Sequence, residues 1–313
     1  MTIEDMLDWD RDDFEAALTL FTQEIERHPE TSINYTNRAA AYHRRADQFS
    51  VIEDYHLAIK DYSKFLELRP DNSIVFGLRG EAYWAADSYK EAFADFTRAI
   101  QIDPNNIDAL LSRAELQFEH DSFPAAIKDF SEVLQQDPNN VRAHFASGVC
   151  FMELTDAENA FAGFNRAIEL EPDHSDAFCD RGYLYCILGE HDKASEDLNN
   201  AIRLDPGNAF AWNNRALNYT LTNDLEAAMN DYSKAIQLNP DYALAYTNLG
   251  TIQAELREFE KAIDNYNKSI SLDPSDAVTF YNRGKSHLAV GNEAKATADY
   301  EQACKLDPSL AGE

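Results

Sequence analysis

Large, small and polar residues alternate along this chain with two nested periods: three to four residues locally, and thirty-four residues overall. The long period is easiest to count from proline. Pro70, Pro104, Pro138, Pro172, Pro206, Pro240, Pro274 and Pro308 are each 34 residues apart, and Pro29 precedes Pro70 by 41. With each of these prolines numbered position 32 of its repeat, position 20 is alanine nine times: Ala17, Ala58, Ala92, Ala126, Ala160, Ala194, Ala228, Ala262 and Ala296. Position 24 is aromatic in eight of nine repeats (Phe21, Tyr62, Phe96, Phe130, Phe164, Tyr232, Tyr266, Tyr300), with Leu198 in the ninth. Position 8 is always Ala or Gly, and position 4 is large, from Tyr35 to Phe280. Positions 4, 8 and 11 share one face of a helix, as do 20, 24 and 27. Each repeat therefore predicts a helix A and a helix B whose small residues let the backbones approach. Proline, which cannot continue a helix, closes each pair. Turns such as Asp103-Pro104-Asn105-Asn106 end one helix B and cap the next helix A.

A helix pair with one apolar face left over must stack on its neighbour, and a fixed period in this range denotes a solenoid. The pattern resembles the tetratricopeptide repeat: the period, the large residue at 4, the small residue at 8, alanine at 20, the aromatic at 24 and proline at 32 all match. The resemblance implies an all-α helix-pair solenoid, a right-handed superhelix of eight full repeats after a degenerate N-terminal one. The boundaries expected are 1–29 (degenerate), 30–70 (with a seven-residue insertion), 71–104, 105–138, 139–172, 173–206, 207–240, 241–274 and 275–308, then a short tail, 309–313, without a capping helix. Helix A of the first repeat is not recognisable, since Glu4, Asp5 and Asp8 fall at its core positions. Position 11 departs from the pattern at Gln117, Gln253 and His287. Phe49, Val51, Ile52 and Tyr55 in the insertion predict a hairpin tip, either packed on itself or offered to a partner. Ala296, Tyr300, Ala303 and Leu306 on the last helix B predict an apolar strip left uncovered, through which self-association is expected.

Charge sharpens the picture at position 7. It is arginine in six full repeats (Arg38, Arg79, Arg113, Arg181, Arg215, Arg283), and position 23 is aspartate in the same six (Asp61, Asp95, Asp129, Asp197, Asp231, Asp299). Where the arginine is replaced (Ser147, Leu249), the aspartate is replaced too (Gly163, Asn265). Paired change implies contact, so these arginines are expected in structural ion pairs rather than on a ligand.

Overall, 56 acidic against 27 basic residues give a net charge of −29, which disfavours nucleic acid and anionic membranes. No apolar run is long enough to span a bilayer, no basic and apolar leader opens the chain, and four cysteines show no disulfide spacing, so a reducing, cytoplasmic location is expected. The Gly284-Lys285-Ser286 triplet lacks the glycine a phosphate loop requires five residues earlier, and no histidine or cysteine cluster has metal-ligand spacing. No cofactor, metal or catalytic group is expected.

In the family it resembles, helix A lines the concave groove. The expected partner-binding residues there are Asn214, Asn248 and Asn282 at position 6, an amide ladder for peptide backbone, with Asn213, Leu217, Thr247, Thr251, Tyr281 and Lys285 beside them. A second expected stretch is acidic and aromatic: Glu81, Trp84, Glu115, Phe118, Glu119, Phe145 and Tyr183, with Asp108, Met152, Asp176 and Asp180 nearby. It suits a basic peptide or helix. The family's carboxylate clamp is not met, because Ile74 and Leu78 stand where its cations belong. The expectation is a non-catalytic protein-interaction scaffold. The alternatives are a self-assembling structural unit or the targeting region of a larger protein.

Overall fold

The computed structural model describes residues 9–312, and every regular element among them is helical. The chain divides into two compact bodies, Met1–Gly163 and Phe164–Glu313. The first runs through α1 (Arg11–Arg27), α2 (Ser32–Phe49), α3 (Ile52–Leu68), α4 (Ser73–Ala85), α5 (Tyr89–Ile102), α6 (Ile107–Glu119), α7 (Phe123–Gln136) and α8 (Val141–Glu153), and enters α9 (Ala157–Leu170). The second completes α9 and continues through α10 (Ser175–Ile187), α11 (His191–Leu204), α12 (Ala209–Leu221), α13 (Leu225–Leu238), α14 (Ala243–Glu255), α15 (Phe259–Leu272), α16 (Ala277–Ala289) and α17 (Glu293–Leu306), ending in a 3₁₀ turn, Pro308–Gly312. Even-numbered helices are the A helices and odd-numbered ones the B helices. Residues Glu4, Asp5 and Asp8 lie outside the described residues. α1 is the helix B of the first repeat, opened by an Asp10–Asp13 capping box.

The proline comb works as punctuation. Pro104 lies in the turn between α5 and α6, where Asn105 N–H donates to Asp103 Oδ1 at 3.0 Å and Ala109 N–H to Asn106 Oδ1 at 3.0 Å. Asn72, Asn140, Asn208 and Asp276 cap α4, α8, α12 and α16 in the same way. Pro308 alone among the comb opens a helical turn, at the first position, where its missing N–H costs nothing.

Within each pair the backbones cross closely because the side chains there are small. A Cβ built on Gly80 would stand 2.6 Å from the Phe96 ring, and one on Gly284 would stand 2.9 Å from Tyr300. The buried alanines and aromatics of positions 8, 20 and 24 form the core clusters: Ala39, Ala58 and Tyr62; Ala114, Ala126 and Phe130; and, in the second body, Ala216, Ala228 and Tyr232. The A-to-B turn carries a left-handed residue at position 15: Asp87, Asp121, Thr155, Gly189, Asn223, Arg257 and Gly291.

The insertion lengthens α2 to 18 and α3 to 17 residues, and its tip packs partly on itself and partly on α1. Phe49 meets Phe14 edge-on at 6.2 Å, Tyr55 donates to Asp47 at 2.9 Å, and Arg45 pairs bidentately with the buried Asp54 at 2.6 and 2.9 Å. Ile52 alone of the four apolar residues is fully exposed. The apolar strip expected on α17 is corrected in part: Ala296 and Ala303 are buried, Tyr300 is half-buried, and only Leu306 is exposed. Tyr300 fills the space over Gly284 of α16, which draws the strip inward.

Candidate functional site

The arginines of position 7 bind within their own repeats. In all six pairs Nε and Nη2 donate to the two carboxylate oxygens of the position-23 aspartate at 2.6 to 3.0 Å. The aspartates are buried and the arginines mostly so. Four of the guanidinium groups also lie over the position-4 ring (Arg79 on Phe76, Arg181 on Phe178, Arg215 on Trp212, Arg283 on Phe280) at 4.8 to 5.5 Å.

The remaining nitrogen, Nη1, reaches position 25 of the preceding repeat: Thr22, Ser63, Thr97, Asn165, Asn199 and Asn267, at 2.7 to 3.3 Å. Each rung thus ties two repeats together, a link sequence reasoning missed. The available signal was that this position is a small hydroxyl or amide residue in eight of nine repeats.

The two repeats without a rung solve the vacancy differently. In repeat eight, Asn265 Nδ2 donates to Gln253 Oε1 at 2.7 Å, so the unusual position-11 glutamine has a partner. Gln117 likewise donates to Asp129 at 3.2 Å. In repeat five, a Cβ on Gly163 would lie 2.7 Å from the His144 carbonyl oxygen and 2.8 Å from Gly148 Cα. The backbones approach so closely there that an aspartate has no room for its Cβ.

The groove residues divide by body. In the first, Trp84 Nε1 donates to Glu119 Oε2 at 2.8 Å and its ring meets Phe96 edge-on at 6.3 Å, so the indole is held at both ends. Phe118 packs on Phe123 at 5.6 Å. Phe145, on α8, is half-buried. Glu115 is half-buried and already paired with Arg142 of α8, a cation not foreseen from the sequence; burial raises its pKa while Arg142 opposes the rise. Glu81, also half-buried, is pushed up to about 7, chiefly by desolvation and then by Asp108 and Asp47, against Arg142 and a hydrogen bond from Ser112.

In the second body, two expected groove residues turn inward. Asn213 is 3% exposed and Thr247 5%. Thr247 shares hydroxyl hydrogen bonds with Ser269 and Thr279, and Asn213 donates to Asn214 Oδ1 at 3.2 Å and accepts from Asn248 Nδ2 at 3.4 Å. Asn213 is thus held by its own helix and by α14, and Thr247 by α15 and α16. Asn214 Nδ2 in turn donates to Cys179 Sγ at 3.5 Å. Leu217 packs against the Cys186, Ala194 and Leu198 core. Tyr183, half-buried on α10, lies in this body with Asp176 and Asp180 of the same helix. Asn282 and Lys285 line a depression of about 340 Å³ with Thr251, whose hydroxyl accepts from Tyr266 Oη at 3.3 Å, and Lys285 Nζ sits 5.5 Å from the centre of the Tyr281 ring.

Family models described as "Tetratricopeptide repeat" match residues 43–107, 111–177, 175–208, 243–276 and 277–310, and one described as "TPR repeat" matches 218–257. No curated protein gives a significant match. Among solved structures, the chain is similar to one in the crystal structure of the APC/C hetero-tetramer Cut9-Hcn1 (TM-score 0.66, 18% identity), covering 95% of this chain but only 57% of that one. It is similar also to PilF of Pseudomonas aeruginosa (TM-score 0.58, 17% identity, 64% of this chain and 92% of that one). A third likeness is to PilW, a type IV pilus biogenesis factor (TM-score 0.59, 17% identity, 64% and 94%). At these identities the likeness is one of fold.

Proposed function

The chain belongs to the tetratricopeptide repeat family, and we propose that it is a non-catalytic scaffold that holds a segment of another protein against its A helices. The family serves generally in protein interaction. The observation that carries the finer reading is the A-helix surface of the first body. There α4 and α6 carry the aromatics Trp84 and Phe118 and the carboxylates Glu81, Glu115 and Glu119; Trp84 donates to Glu119, and Arg142 pairs with Glu115. Apolar anchors among acids suit a basic, amphipathic segment. In the second body the half-buried amides Asn248 and Asn282 offer donors and acceptors to a peptide backbone. Four free cysteines, with Cys150 and Cys186 pushed up to about 11 by burial, fit a reducing compartment such as the cytoplasm.

Photo-crosslinking tests the reading. A benzophenone side chain at Phe118 should capture a partner that the same group at the exposed Lys128 of α7 does not, and Trp84→Ala with Phe118→Ala should abolish recovery while helicity is retained. Crosslinks confined to Lys128, or recovery unchanged in the double variant, would refute it.

A further inference from the structure

The depression between α14 and α16 holds polar groups that no contact of the fold consumes. At about 340 Å³ it falls within the usual size of ligand pockets, roughly 300–1,000 Å³. Ala254, Phe259 and Tyr266 give it an apolar lining. Its hydroxyl hydrogens are spent inside the protein. Tyr266 Oη donates to Thr251 Oγ1 at 3.3 Å, Thr251 Oγ1 to the Thr247 carbonyl at 2.9 Å, and Ser286 Oγ to the Asn282 carbonyl at 3.1 Å. Three lining groups remain: the Asn282 side-chain amide, the Lys285 ammonium and the Glu255 carboxylate.

Two of these groups carry opposite charge on different walls: Glu255 belongs to α14 and Lys285 to α16. Among the described residues neither makes an ion pair. Lys285 Nζ instead lies 5.5 Å from the centre of the Tyr281 ring, which steadies the ammonium without neutralising it. Helices α10, α12, α14 and α16 hold one lysine, Lys285, and their arginines are all in rungs. One repeat earlier, between α12 and α14, the corresponding residues are Leu221 and Thr251, so the amides meet no such charges there. Asn282 also differs from its ladder neighbours. Asn214 and Asn248 donate to Cys179 and Asn213, whereas the Asn282 side chain has no hydrogen bond among the described residues.

We propose that this depression receives the carboxamide side chain of a glutamine or asparagine from the bound segment, its C=O accepting from Lys285, its NH2 donating to Glu255, and the Asn282 amide alongside. This rests on the A-helix reading above and names a subsite within it. Charge complementarity selects the occupant. A carboxylate suits Lys285 but is repelled by Glu255, and an ammonium meets the reverse. An apolar side chain leaves both charges and the amide without an answer. A primary amide is neutral and carries donor and acceptor on one planar group, so it satisfies both walls at once. Its methylenes match the lining of Ala254, Phe259 and Tyr266.

The test uses the full chain, immobilised, and mixtures of nonapeptides with degenerate flanks and one fixed central residue: glutamine, asparagine, glutamate, lysine or leucine. The readout is how much of each mixture is retained. The better of the two amide mixtures should be retained about threefold more than the glutamate, lysine and leucine mixtures. Lys285→Glu should transfer the preference to lysine, and Glu255→Lys should transfer it to glutamate. Glu255→Lys combined with Lys285→Glu keeps one charge of each sign, and a carboxamide can turn around to meet them. The double variant should therefore restore the amide preference, a rescue that damage to the fold cannot give. If the unaltered chain prefers glutamate, lysine or leucine, or the double variant does not recover the amide mixture, the subsite is refuted. If the mixtures are retained without preference at the centre, and Asn248→Ala lowers retention, the subsite is refuted while the A-helix reading stands. If no mixture is retained by the unaltered chain, both fall.

Discussion

The Arg113–Asp129 rung shows how much a single side chain can matter in a chain built from repeats. Asp129 is 2% exposed and accepts from both Arg113 nitrogens and from Gln117. Arg113→Ala should cost about 3–5 kcal/mol, because it leaves a buried carboxylate without its counter-ion, whereas Arg113→Met combined with Asp129→Leu should come close to the unaltered stability. Urea unfolding of the three proteins decides the matter, and equal losses in the single and double variants would show that the rung does not act as a pair. Glu81 makes a prediction in pH. Its folded pKa of about 7 lies above the ordinary carboxylate value, so the folded chain takes up a proton that the unfolded chain releases. The site favours folding at acid pH, and that contribution is lost as pH rises through about 7. The stability of Glu81→Gln relative to the unaltered chain should therefore increase between about pH 5 and 8, and a flat difference would contradict it. Affinity for a cationic segment should move the opposite way, rising as Glu81 ionises.

At the scale of helices, repeats five and eight lost the same ion pair but are not equivalent. In repeat five, Gly163 lets α9 press on the backbone of α8 at His144 and Gly148. In repeat eight, Asn265 and Gln253 substitute a neutral hydrogen bond. Restoring the rung by Ser147→Arg with Gly163→Asp should thus destabilise by more than about 1–3 kcal/mol, the usual cost of overpacking. Leu249→Arg with Asn265→Asp should be tolerated. Melting temperatures of the two double variants test this, and equal tolerance would place the difference elsewhere. The turns carry a related lesson. Thr155 and Arg257 hold φ of 58° and 62° at a position where Gly189 and Gly291 sit without strain, so helix pairing dictates the turn geometry and the local residue complies.

Across the whole molecule, a net charge of −29 on 313 residues means that solvated carboxylates repel one another, while the six rungs, being buried, are little screened. Raising ionic strength from low to physiological should accordingly raise the melting temperature; a fall would mean that exposed ion pairs outweigh the repulsion. The two compact bodies part at Gly163, within one of the two repeats that lack both arginine and aspartate. Each body keeps its own alanine and aromatic core, as expected where repeats bury surface mainly against their neighbours.

The helix pairs, their ends and the family were written in the sequence, because positions 8, 20, 24 and 32 each have one steric task and repeat it: closest approach, space filling or termination. The arginine–aspartate rung was legible for the same reason, since losing one partner removes the use of the other. What tertiary structure alone decided is which polar atoms find each other across helices. Asn213 and Thr247 look like groove residues by spacing, yet hydroxyl and amide partners on adjacent helices draw them inside. Arg142 pairs with Glu115 from two helices away in the chain, and the Tyr62 hydroxyl lacks the partner that the Tyr266 hydroxyl finds in Thr251. Periodicity determines which face a residue occupies; pairing in space depends on the few ångströms between that face and the next, which no period encodes.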